Sequence, residues 1–131
     1  MWTTPEVCST FINLMQFKFY RVNSDSMFPV LKTGDIAGVI PSENYYPGDV
    51  VVFLREGYCV HRLYAVIPFT GFFLEKGDAS GIVTLISVAD IAGRVELPIV
   101  SERIDPYENI LRVTKWLLKK SVTRIKRKLL P

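Results

Sequence analysis

Between Tyr20 and about Ile99 the apolar residues come in short runs, each broken by Gly, Pro or Asp. "IAGVI" follows one Gly-Asp pair, and "VVVFL" follows a second in "YYPGD". "YCVHRLYAVI", "GFFLE" and "IAGRVEL" come next. Runs this short, rich in Val, Ile, Phe and Tyr, predict a succession of β-strands. In each Gly-Asp pair, glycine supplies the left-handed conformation of a tight turn and aspartate accepts neighbouring backbone N–H groups. Two stretches depart from this pattern. Val7, Phe11, Leu14 and Met15 are spaced for a short helix over residues 5–15. "DPYE" at 105–108 reads as a helix start, with Asp105 as N-cap, Pro106 in the first turn and Glu108 reaching back. Tyr107, Leu111, Leu118, Val122, Ile125 and Leu129 then fall on one stripe of a helix running from about 106 to 129, and basic residues occupy much of the rest. The organisation expected is an N-terminal segment (1–20), a β-domain (21–100) and a basic amphipathic helix (105–131).

The totals fit one domain with a packed core: 131 residues, 49% hydrophobic and 22% charged. The net charge of +3 is uneven, because residues from Pro106 onward carry +7 and the first 105 carry −4. The basic character therefore belongs to the helix. Cys8 and Cys59 form no CxxC and demand no disulfide framework. No run reaches the roughly 18 apolar residues of a membrane-spanning helix. The N-terminus carries Glu6 and no basic leader, so it does not read as a secretory signal. Nothing in the sequence calls for a metal or a cofactor.

The chemistry concentrates in "RVNSDSMFPVLKTGD" at 21–35. A serine hydroxyl needs a base before it is a useful nucleophile. The chain has a single histidine, His61, so any Ser–His pair must use it. A carboxylate would fix the imidazole tautomer. Asp35, Asp49 and Asp78 all lie in turns, and the sequence alone does not choose among them.

Four boxes in order, "SDSMFP", "GDVVVF", "VHRLYAV" and "FLEKGDAS", resemble the type I signal peptidases. The likeness is to the serine–histidine branch found in archaea, in the endoplasmic reticulum and in some Gram-positive bacteria. Ser24, Ser26, Met27 and Pro29 match the S-x-S-M-x-P box, His61 and Arg62 the histidine–arginine box, and Lys76, Gly77 and Asp78 the K-G-D box. "DIAGRV" at 90–95 is similar to the closing strand, so the resemblance covers about residues 22–97. It implies a coiled, mostly antiparallel sheet shared with the self-cleaving repressors. It also implies Ser26 as nucleophile and His61 as general base, with Ser24 helping the backbone N–H of Ser26 to hold the oxyanion. Asp78 would support the site, and Met27 and Pro29 would shape the substrate-facing strand end. The chain departs from the family in lacking its usual N-terminal anchor, the asparagine that normally comes soon after K-G-D, and a later second aspartate. Asp78 is thus the acid by elimination, with Asp90 a second candidate.

The activity implied is endoproteolysis of an extended leader or signal segment after a small residue, through an acyl-enzyme. Two alternatives stand beside it. One is a self-cleaving regulator, for which Ala37-Gly38 and Ala92-Gly93 resemble the cleavage bond although both lie in predicted strands. The other is a non-catalytic adaptor on the same fold. The basic helix either packs its apolar stripe on the β-body or lies on an anionic membrane with Trp116 and Leu117 inserted, which would make the protein soluble or peripheral. No recognised nucleic-acid-binding fold accompanies the helix.

Overall fold

The computed structural model describes residues 16–129, with side chains described to residue 124. The helix expected over 5–15, and Cys8, lie outside this range. Seven strands follow one another: β1 Lys18–Arg21, β2 Ile36–Ile40, β3 Val50–Arg55, β4 Gly57–Ile67, β5 Phe72–Lys76, β6 Thr84–Ser87 and β7 Ile91–Leu97. They form one antiparallel sheet in the order β1-β2-β7-β3-β4-β5-β6. A 3-10 turn at Val88–Asp90 leads into β7, and one helix, α1, spans Pro106–Leu129. The molecule is mainly β with a C-terminal helix, as the sequence predicts.

The unbroken apolar run of β3 has a simple cause. Val50, Val51, Val52 and Phe53 are all fully buried, because this strand is covered on both faces. Val50 and Val52 pack with Val22, Met27, Leu31 and Val39, whereas Val51 and Phe53 pack with Leu63, Phe73 and Ile86. The last strand, β7, inserts between β2 and β3 and joins the two halves of the sheet. Both Gly-Asp turns form as expected. Gly34 and Gly48 take φ of 93° and 98°, and Asp35 and Asp49 accept the backbone N–H groups of Lys32 and Tyr46 at 2.9 Å.

β4 outruns its partner β3, which pairs with it only as far as Arg62. The outer edge beyond is satisfied by other means, as buried backbone groups require. Gly48 N–H donates to the Leu63 carbonyl, and Leu63 N–H donates to the Asp49 carbonyl. Farther along, the Asn109 amide accepts from Val66 N–H at 2.7 Å and donates to the Val66 carbonyl at 3.0 Å. Arg112 donates to the Tyr64 carbonyl and stacks over the Tyr64 ring. The helix therefore docks on the sheet through polar side chains.

Of the two placements open to the apolar stripe, packing on the β-body is not the one the described residues adopt. Tyr107, Leu111, Leu118 and Val122 lie on the face away from the docking residues, and Tyr107 is 72% exposed. Asp105 does cap the helix, accepting from Glu108 N–H at 2.8 Å. Glu108 does not reach back, however; its carboxylate pairs with Arg112 one turn on. Trp116 is half-buried beneath Lys120 and does not join the exposed stripe.

Candidate active site

The loop between β1 and β2 is fixed at its base and along its length. Val22 N–H donates to the Asp35 carbonyl, and Gly34 N–H donates to the Val22 carbonyl. Asp25 closes the loop from within by accepting both the backbone N–H and the hydroxyl of Thr33. Those two bonds, the backbone one first, hold its carboxyl below the ordinary aspartate range. Met27 and Leu31 anchor the loop in the core. Ser26 is thus carried on a pinned turn immediately before a buried side chain. Met27 itself is only 1% exposed, its side chain in the core beneath the loop. Pro29 is exposed.

The 35 residues separating Ser26 from His61 close to a short contact: the Ser26 Oγ lies 3.1 Å from His61 Nε2. Strand register explains the approach. Arg62 pairs with Lys76, so His61 stands across from Gly77. A Cβ at residue 77 would lie 2.6 Å from the Ser26 carbonyl oxygen and 3.2 Å from His61 Nε2. Only glycine leaves room for the serine loop to reach the imidazole. Ala79 N–H then donates to the Ser26 carbonyl, tying the K-G-D turn to the serine loop.

The other imidazole nitrogen, Nδ1, meets Glu75. Glu75 is fully buried on β5, one diagonal neighbour from His61, and also accepts from Arg55 and from the Thr84 hydroxyl. Burial pushes its carboxyl up. The bonds from His61 and Thr84, the charge of His61 and the bond from Arg55 outweigh that and hold it below the usual glutamate range. An ionised carboxylate only accepts, so Nδ1 carries a ring proton, and in the neutral imidazole the Nε2 lone pair faces Ser26. In that form Ser26 donates to His61. Ser24, whose Oγ is 3.1 Å from that of Ser26, is left to donate its own hydroxyl proton toward the same oxygen. The ring packs edge-on against Phe53, with centroids 5.8 Å apart.

The carboxylate at the imidazole is thus Glu75, a residue the sequence reading did not weigh. Its signal was the one acid of β5, directly after three apolar residues. Asp78 instead makes two bonds of 2.9 Å with Arg62, whose guanidinium also donates to the carbonyls of Gly48 and Val100. Asp78 and Arg62 form a clamp joining β4, the Gly48 turn, the segment after β7 and the K-G-D turn. Asp90 sits exposed in the 3-10 turn and makes no bond to His61. Asp35 and Asp49 serve the two turns. Among the described residues no cluster of His, Cys, Asp or Glu has the arrangement of a metal site.

A pinned serine, an imidazole within hydrogen-bond reach of it and a buried carboxylate behind have the geometry of a Ser-His-acid triad on a β-scaffold. The comparison with protein families agrees in kind: residues 5–68, a little under half of the chain, match the model of the Peptidase S24-like family. That match supports the wider superfamily of S24 and S26 peptidases, with its self-cleaving repressors and signal-peptidase-like members, and no single branch of it. No curated protein and no solved structure matches the chain significantly.

Proposed function

We propose that the chain is a serine endopeptidase of the signal-peptidase type that cuts an extended peptide after a small residue. The observation that carries this reading is the continuous relay from Ser26 Oγ through His61 to buried Glu75. Ser26 Oγ attacks the scissile carbonyl carbon as its proton passes to His61 Nε2. The oxyanion forms beside the Ser24 hydroxyl and the Ser26 backbone N–H. His61 then gives the proton to the leaving amine and the C–N bond breaks, leaving an ester on Ser26. Water attacks that ester after losing a proton to His61, and the carboxylic acid departs as Ser26 regains its proton. Glu75 holds the tautomer and stabilises the imidazolium. Asp78 acts at one remove, by fixing the turn that carries Gly77. Pro29, exposed at the loop, is a surface for the substrate.

The test is cleavage of a peptide library with small residues at the cut, read by mass. Ser26→Ala and His61→Ala, each folded, should lose at least about 10³-fold in rate. Normal cleavage by either variant would refute the assignment. Fragments of the protein itself, formed in a Ser26-dependent way at raised pH, would favour self-cleavage. Against that outcome, Ala37-Gly38 lies within paired β2 and Ala92-Gly93 within paired β7.

We also propose that the outward stripe of α1 rests on a membrane surface. Tyr107, Leu118 and Val122 are exposed along one face of a segment carrying a net +7, a combination suited to anionic lipid. Among the described residues no helix is long and apolar enough to cross a membrane.

A further inference from the structure

Asn109 and Arg112 hold the first turns of α1 to β4. Beyond them a cleft of about 730 Å³ opens between the helix, the end of β5 and the loop leading to β6. Its floor is partly apolar, with Tyr64 from β4 and Trp116 from the helix facing Ile82 and Val83 of the loop. Its walls are cationic: Lys76, Arg112, Lys115, Lys119, Lys120 and Arg124 line it, and no Asp or Glu does. Arg112 is engaged by Glu108 and the Tyr64 carbonyl. Among the described residues the other five form no ion pair.

Cations gathered around a partly apolar hollow repel one another and focus a positive potential into it, which an anionic occupant would relieve. The shape and the charges narrow the choice of occupant. Four of these five cations are lysines, flexible point charges suited to separate carboxylates rather than to one phosphate gripped by a guanidinium fork. Lys115 and Lys119 are one turn apart, an axial rise of about 6 Å. Alternate side chains of an extended peptide repeat at about 6.7 Å, so acids at every second position would meet successive cations. The cleft also begins at Lys76, and the next residue, Gly77, packs against Ser26 and His61. We propose that this cleft is an exosite for an acidic segment of the peptide substrate, on the same polypeptide as the scissile bond. The word substrate rests on the peptidase reading; the binding of an acidic peptide does not.

Trp116 lines the cleft and reports on it directly. The chain has one other tryptophan, Trp2, and Trp2→Phe leaves Trp116 as the sole indole. Titrating this variant with a ten-residue glutamate-rich peptide should change Trp116 fluorescence saturably, and the matching glutamine peptide should not. Affinity should fall about tenfold or more from 50 to 300 mM salt, as screening shortens the reach of the charges. The folded double variant Lys115→Glu/Lys119→Glu should lose the response. An acidic extension on a cleavable peptide should lower KM with kcat unchanged, and the double variant should reverse that gain. Saturable glutamate binding without cleavage of any peptide would sink the peptidase reading and keep the cleft. Cleavage indifferent to the acidic extension, with Trp116 silent, would sink the exosite alone. Tighter binding of a single-stranded oligonucleotide of equal charge would overturn the peptide assignment. So would displacement of the glutamate peptide from the cleft by anionic vesicles.

Discussion

Glu75 is the residue whose replacement separates two accounts of the site. If it positions His61, Glu75→Gln should lower kcat by roughly 10³-fold or more with little change in KM, because the neutral amide no longer enforces the reactive tautomer. Asp78→Asn should act differently, loosening the Arg62 clamp and lowering thermal stability while leaving much of the activity. A variant pair with these effects exchanged would return the acid's role to Asp78. The pH dependence follows from the same carboxylate. Its folded pKa is depressed, so its stabilisation is fully present above the ordinary glutamate value of about 4.3 and is lost as pH falls through the lower folded value. Melting temperature should hold from neutral down to about pH 5 and then decline, and the decline should be shallower in Glu75→Gln. Equal slopes for the two proteins would remove Glu75 from the linkage. Ser26 and His61 were readable beforehand because each is singular, one by its box and the other as the only histidine. Glu75 was not, since its role depends on β4–β5 register, which places it diagonally from the imidazole.

At the scale of elements, α1 depends on a side chain that acts as a piece of strand. Asn109 satisfies both backbone groups of Val66 where β3 no longer reaches. Asn109→Ala leaves both without partners and should destabilise the protein by about 2 kcal/mol. Denaturant unfolding measures this, and a loss below a few tenths would mean that water replaces the amide. Five strands and the helix were legible from runs, turn residues and the Asp105 cap. β1 and β6 were not, because four residues each, exposed in β1 but for Tyr20 and set around a single buried Ile86 in β6, carry too little alternation. β1 also begins at Lys18, inside the segment expected to precede the β-domain. The docking face of α1 was not legible for a related reason. Periodicity finds the apolar stripe, whereas the contact is made by an asparagine and an arginine answering unpaired backbone.

Across the whole molecule, charge and apolar surface divide the protein into an acidic body and a basic helix with a greasy outer stripe. Leu118→Glu with Val122→Glu should abolish binding to vesicles containing anionic lipid and leave soluble-peptide cleavage intact. Co-sedimentation with vesicles decides this, and undiminished binding by the variant would place the contact elsewhere. The central claim, that His61 activates Ser26, is tested most directly by reaction with a serine-directed fluorophosphonate followed by intact-mass and peptide mapping. One adduct on Ser26, forming faster as pH rises and at least about 10²-fold slower in folded His61→Ala, is the predicted result. An unlabelled Ser26, or labelling equally fast without the imidazole, would contradict it.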